Sequence, residues 1–176
     1  MSTNNIKNIT VFGPGMMGSG IAQVFAGCED LKVTIFIREK VEYECMDKIK
    51  ANLEVLREKE IITQEEVNKL LGRIELTEDI EVAVKNADFV IECIPENMEL
   101  KQNLFARLES ICRKDTIFAT NTSVMSITEI SEKSKNKSRI VGCHFWNPPY
   151  LIPLVEVVKS DYTTDEVMDK TIDRKS

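Results

Sequence analysis

Several classes of protein are excluded by what this chain of 176 residues lacks. Lys and Arg number 23 against 29 Asp and Glu, a net charge of -6. That balance argues against a polyanion partner, although a small phosphorylated ligand can still be held locally. No apolar run approaches the roughly 20 residues that cross a bilayer. The polar start, Met1 to Lys7, has no apolar signal-peptide core. No nucleic acid and no membrane are therefore expected as partners. Cys28, Cys45, Cys93, Cys112 and Cys143 are odd in number, scattered and without a C-x-x-C pair. This pattern argues against a zinc ribbon or disulfide framework, so no metal site is expected and a reducing cytoplasm is the natural setting. What remains, 43% hydrophobic and 30% charged residues, describes an ordinary globular domain with enough chain to bury a core.

Glycine is scarce, with seven residues, yet it concentrates in Val11-Phe12-Gly13-Pro14-Gly15-Met16-Met17-Gly18-Ser19-Gly20. An apolar run (Ile9 to Phe12) precedes this stretch, and an apolar-periodic one (Ile21, Val24, Phe25) follows. The spacing G-x-G-x-x-G between strand and helix suits a dinucleotide: Gly13 for the turn, Gly15 for close approach of a pyrophosphate, Gly18 for helix-on-strand packing. The diphosphate would rest on unpaired N–H groups at the positive end of the helix dipole. Alone, the motif also fits a glycine-rich turn with no ligand.

The rest of the chain alternates. Lys32 to Ile37, Arg73 to Leu76, Asp88 to Ile94, Thr116 to Ala119, Arg139 to Cys143 and Leu154 to Val158 read as further strands. Val41 to Lys59 carries Val41, Cys45, Ile49, Leu53 and Leu56 on one helical face. Thr63 with Glu66 forms a capping box for a second helix that Gly72 ends. This helical hairpin after the second strand reads either as packing or as a lip over a ligand cleft. Asp79 to Lys85, Met98 to Cys112 and a short helix capped by Ser126 complete the alternation. The fold class is α/β: a Rossmann-type doubly wound, mostly parallel sheet. Residues 1–160 form the dinucleotide-binding domain, and 161–176 read as a polar tail or the start of a truncated helical domain.

Polar residues collect where the strands end, which is where open α/β sheets bind ligands. Asn121 and Ser123 leave one strand, and His144, the only histidine, leaves the next with Asn147. Glu156 lies in an otherwise apolar strand, where a carboxylate is costly without a partner. His144 is the natural partner. A carboxylate beside an imidazole fixes its tautomer and steadies its protonated form, as suits a base that takes a hydroxyl proton. A purely structural His–Glu pair is the competing reading.

Five stretches taken together resemble the NAD-binding, N-terminal domain of the L-3-hydroxyacyl-CoA dehydrogenase family. They are the glycine loop, I-P-E-N-M-E-L-K, A-T-N-T-S, H-F-W-N-P and L-V-E-V-V. The resemblance implies hydride transfer between NAD and the 3-hydroxyl carbon of a 3-hydroxyacyl-CoA such as 3-hydroxybutyryl-CoA. It also implies roles: His144 as general base, Glu156 orienting it, Ser123 and Asn147 bonding the reacting oxygen. The cofactor wall would comprise Gly13, Gly15, Met16, Met17, Gly18, Ile37, Arg38, Pro95, Glu96, Lys101 and Asn121.

Three departures stand out. The acid that holds the ribose hydroxyls, about 20 residues past the glycines, is replaced by Ile37 and Arg38. NADP therefore competes with NAD, unless Glu39 substitutes. The wording Asn147-Pro-Pro-Tyr-Leu-Ile-Pro-Leu-Val-Glu156 is similar to the gulonate 3-dehydrogenase (lambda-crystallin) branch, which points to a small free hydroxy acid as the alternative to an acyl-CoA. The family's C-terminal helical domain is absent, so a homo-oligomer or pairing with a helical-domain chain is expected. A catalytically silent dinucleotide-binding module and a nucleotide-free scaffold are the competing classes.

Overall fold

The computed structural model describes residues 6–38 and 44–173. Seven strands make one sheet: β1 (Asn8–Phe12), β2 (Lys32–Phe36), β3 (Ile74–Thr77), β4 (Phe89–Glu92), β5 (Ile117–Thr120), β6 (Ile140–Phe145) and β7 (Val155–Lys159). Their order is β3-β2-β1-β4-β5-β6-β7. Neighbours from β3 through β6 run parallel, and β7 is antiparallel to β6. The order reverses between β1 and β4, which makes the switch point beside which doubly wound sheets bind ligands.

Helices cover both faces: α1 (Met16–Ala26), α2 (Glu44–Glu58), α3 (Gln64–Leu71), α4 (Ile80–Val84), α5 (Met98–Ile111), α6 (Ile127–Ile130) and α7 (Asp165–Asp173). Side-chain alternation along each strand divides the interior in two. Ile9, Val11, Ile35, Ile91 and Ala119 join Ile21, Ala22 and Phe25 of α1 in one core. Phe12, Val90 and Phe118 join Phe105 and Leu108 of α5 in the other. Because both faces are covered, β4 and β5 are buried at every position, and their sequences read as unbroken apolar runs ended by one polar residue.

The hairpin α2–α3 is anchored on α1. Cys45, Ile49 and Leu53 are at most 1% exposed, and burying Ile49 and Leu53 contributes about 1.5–3 kcal/mol each. Asn52 Nδ2 donates to Gln23 Oε1 at 3.3 Å. Thr63 and Glu66 form the full capping box. Val41, expected at the head of the α2 stripe, lies outside the described residues.

Two further details complete the fold. The stretch from 161 on, read as a polar tail or the start of a helical domain, carries α7, which sits on the sheet with Val167 in the α1-side core. The Thr171 hydroxyl there donates to Val167 O at 2.7 Å. Its sequence looked polar because a helix with one covered face needs few apolar residues. The second detail is Asp88, whose Oδ2 accepts the N–H groups of Lys7 and Asn8, both at 2.8 Å, while Arg113 Nη2 reaches Oδ1 at 2.5 Å. Burial pushes this carboxyl up, but those hydrogen bonds outweigh it and hold it below the ordinary range. Asp88 thus clamps the start of β1 to β4.

Candidate active site

The turn between β1 and α1 is built around space that side chains would fill. Gly13 has φ +91°, and a Cβ there would meet Cys93 O at 2.6 Å; a Cβ on Gly18 would meet Gly13 O at 1.9 Å. Gly15 is different, since a Cβ would meet nothing within 4 Å. The first two glycines let the loop close on the sheet and on itself, and the third leaves its backbone open from outside. No side chain caps α1 and no acid lies in its first turn. Elsewhere Thr63, Asp79, Asn97 and Ser126 cap α3, α4, α5 and α6. At the switch point, a helix of 11 residues presents N–H donors with no side-chain cap, with its dipole favouring negative charge. The cradle fits a dinucleotide diphosphate. Met16 stands out at 70% exposure at this rim, with Met17 half-buried behind it.

A polar network crosses the ends of β4 through β7. His144 and Glu156 are directly opposite in the antiparallel β6–β7 pair, so their side chains share one face. Imidazole Nδ1 lies 2.8 Å from Glu156 Oε2, and Nε2 lies 3.1 Å from Ser123 Oγ. Trp146 Nε1 donates to the same Glu156 oxygen at 3.3 Å. The hydrogen bond with His144, then that from Trp146, holds the Glu156 carboxyl below the ordinary range. An ionised carboxylate accepts only, so Nδ1 carries the proton and Nε2 has the lone pair, with the Ser123 hydroxyl donating to it.

Ser123 is held from the other side. Its N–H donates to Glu96 Oε1 at 3.1 Å, and the Thr122 hydroxyl donates to both Glu96 oxygens at 2.8 and 2.9 Å. Partial burial raises the Glu96 carboxyl, but these donors and the charge of Lys101 outweigh it and hold it low. Beneath lies a buried pair. Lys101 Nζ donates to the Glu92 oxygens at 2.8 and 2.9 Å and lies 3.4 Å from Glu96 Oε2. The side chains of Lys101 and Glu92 are 1% and 0% exposed. Burial pushes the Glu92 carboxyl up, and the Lys101 ammonium and the Thr120 hydroxyl pull it back.

The structure brings His144, Glu156, Ser123 and Glu96 together, and it places several residues differently from the sequence reading. Glu156 is not a buried carboxylate, since its side chain is 52% exposed on an edge strand. The desolvation argument belongs to Glu92, in the equally apolar run Asp88 to Ile94. Lys101 is enclosed and reaches the cleft only through Glu96. Asn121 turns its amide oxygen to the Phe145 N–H at 2.8 Å, which ties the end of β5 to β6. Ile37 is fully buried, so the first exposed side chain beyond β2 is Arg38. Pro95 and Asn147 lie exposed at the strand ends, and Glu39 lies outside the described residues. Thr122, Trp146, Glu92 and Thr120 were missed. The carboxylate inside an apolar strand was the available signal for Glu92.

The family model for the 3-hydroxyacyl-CoA dehydrogenase NAD binding domain matches residues 8–175. The chain belongs to this family. A probable 3-hydroxyacyl-CoA dehydrogenase of Caenorhabditis elegans is 36% identical over 166 residues, 92% of this chain and 56% of that protein. A mitochondrial hydroxyacyl-coenzyme A dehydrogenase of Rattus norvegicus is 35% identical, over 96% of this chain and 55% of its own length. The 3-hydroxybutyryl-CoA dehydrogenase of Escherichia coli superposes with a TM-score of 0.93 at 35% identity, covering 97% of this chain and 36% of that one. The chain thus spans about half or less of the relatives it matches. As the NAD-binding domain of a 3-hydroxyacyl-CoA dehydrogenase family member, it holds the bare helix end and the His144 network on one rim.

Proposed function

We propose that this domain supplies the cofactor cleft and the acid–base residues of a 3-hydroxyacyl-CoA dehydrogenase, acting on a 3-hydroxybutyryl-CoA-like thioester in fatty acid or butanoate metabolism. The observation that carries the reading is His144, held between Glu156 and Ser123 at the same sheet end as the glycine cradle. The nicotinamide dinucleotide, when bound, supplies the hydride acceptor or donor. Glu156 keeps the proton on Nδ1 and leaves the Nε2 lone pair facing Ser123. As a hydride leaves the 3-carbon, its hydroxyl proton passes to Nε2, and Glu156 steadies the imidazolium that forms. Ser123 donates to Nε2 in the free site; when substrate enters, its hydroxyl turns to the reacting oxygen, which frees the Nε2 lone pair for the proton, with Asn147 as a second donor. Glu96, Pro95 and Asn121 form the wall on the cofactor side, and Lys101 sets the position of Glu96.

The test is acetoacetyl-CoA reduction, followed as loss of NADH absorbance. His144→Gln is expected to cost about 10²- to 10⁴-fold in rate while NADH binding stays intact. An unchanged rate refutes the base assignment, and NADH binding without any turnover favours the catalytically silent module. A second reading, a free 3-hydroxy acid, draws support from Pro153, which stands in this chain where an acyl-CoA-type sequence has a lysine available to the CoA; running the assay in parallel with a free 3-hydroxy acid discriminates the two. Trp146, Leu151, Leu154 and Val158 are each at least 45% exposed around the β6–β7 hairpin. In this reading they meet a helical domain or a second copy of the chain. A cytoplasmic location is part of the proposal and suits five scattered cysteines with no C-x-x-C pair.

A further inference from the structure

The end of β2 points to a subsite that the NAD-binding description does not assign. We propose that Arg38 binds a phosphate on the 2′-oxygen of the adenine ribose, so that NADP(H) is admitted to this cleft alongside NAD(H); the inference rests on the dinucleotide reading above. β1 and β2 are parallel and in register as far as Phe12 and Phe36. The two strands therefore deliver the glycine turn and Arg38 to the same sheet end, side by side. Sheet pairing continues one residue past β2, where the Ile37 N–H donates to Thr77 O at 3.0 Å. Ile37 is fully buried and offers a ribose nothing. Arg38 is the first side chain to leave the sheet, and it is exposed.

In doubly wound folds an acid at this strand tip accepts from the ribose hydroxyls, and an arginine there accommodates a 2′-phosphate. The physical reason is direct. A carboxylate accepts two hydroxyl protons and repels a phosphate, whereas a guanidinium has no acceptor to offer a hydroxyl and presents a planar fork to phosphate oxygens. Glu78 and Asp79, which follow β3, are the described acids on this flank. Asp79 Oδ1 accepts the N–H groups of Glu81 and Val82 at 2.8 and 3.2 Å, which ties this carboxylate to the start of α4. Glu78 is exposed and screened by solvent.

The experiment titrates the chain with NADPH and with NADH, following nicotinamide fluorescence, and repeats both titrations with Arg38→Gln. Adenosine 2′,5′-bisphosphate, adenosine 3′,5′-bisphosphate and 5′-AMP serve as competitors. Arg38→Gln is expected to weaken NADPH by about tenfold or more, as befits a charge-assisted hydrogen bond, and to leave NADH within about twofold. The 2′,5′-bisphosphate should compete better than 5′-AMP in the native chain and equally with it in Arg38→Gln. Equal weakening of both dinucleotides by Arg38→Gln, or native binding of NADH alone, overturns the subsite while leaving the dinucleotide reading intact. Competition by the 3′,5′-bisphosphate equal to that of the 2′,5′-isomer also overturns it, since the site would then read the phosphate carried by coenzyme A. Failure of both dinucleotides to bind refutes the parent reading instead.

Discussion

Replacing Lys101 by Met tests whether the cleft is organised from below. Methionine keeps most of the stem's volume, so packing changes little, and what is lost is the charge facing Glu92. That carboxylate keeps the Thr120 hydroxyl and the Ile94 N–H at 3.1 Å, but no cation, in a site with no exposure. Breaking one partner of a buried pair costs about 3–5 kcal/mol. Protonation sets a ceiling on that cost. A carboxyl that ionises near 4.3 when unfolded can be kept neutral at pH 7 for about 3.7 kcal/mol, and at pH 5 for about 1 kcal/mol. The variant's folded state then binds a proton that the unfolded chain lacks, so its stability rises as pH falls through this window. Urea unfolding followed by circular dichroism should show Lys101→Met less stable by about 3–4 kcal/mol at pH 7, with a much smaller deficit at pH 5. Glu92→Gln combined with Lys101→Met removes the orphaned charge and should recover most of the loss. A deficit under about 1 kcal/mol at pH 7, or one that does not change with pH, refutes the buried-pair argument.

The glycines separate fold from ligand. Gly18→Ala forces a Cβ into Gly13 O and should cost about 1–3 kcal/mol of stability, measured by the same unfolding assay. Gly15→Ala has open space around it and should cost under about 1 kcal/mol, yet place a methyl on the cradle and weaken NADH binding in a fluorescence titration. Glu156→Gln should leave the fold intact, because the group is exposed, and reduce turnover by removing the negative charge that steadies the imidazolium, and by offering Nδ1 an amide that can donate as well as accept. Asp88 carries a depressed folded value, so the stability it contributes is present above the ordinary carboxylate range, near 3.9. It is lost as pH falls through the lower folded value. Asp88→Asn should therefore flatten the acid limb of a stability profile between about pH 5 and 2.

The strand pattern could be read from the sequence because two covered faces leave continuous apolar runs, and the helices announced themselves through Thr63–Glu66 and Ser126–Glu129. His144 stood out because it is the only histidine and leaves a strand end. Glu156 stands out in the sequence because an apolar pattern suggests burial. In an edge strand it does not, since Val155 and Val157 pack against the α1-side core while Glu156, between them, turns to the face open to solvent. The same reasoning applied to Glu92 finds a truly enclosed carboxylate, with its partner nine residues on. What sequence spacing could not supply was the side-chain geometry that joins Thr122, Trp146 and Ser123 to the dyad, since those contacts arise between loops far apart in the chain. Asn121 shows the opposite limit. Its residue type suggests a ligand contact, and only coordinates reveal that its oxygen serves a backbone N–H.

The antiparallel pairing of β7 has an engineering consequence. His144 faces Glu156 because of ladder register, and a slip of one residue would turn the carboxylate to the opposite face. The alignment of base and carboxylate is therefore set by backbone hydrogen bonds of the sheet, with no help needed from the segment that joins the two strands. Residues 148–153 can be lengthened, shortened or grafted without shifting the proton-transfer pair, so long as the ladder closes and Trp146 and Asn147 keep their places. Evolution or a designer can vary what this cleft accepts by editing that connection alone, with the chemistry left behind on the sheet.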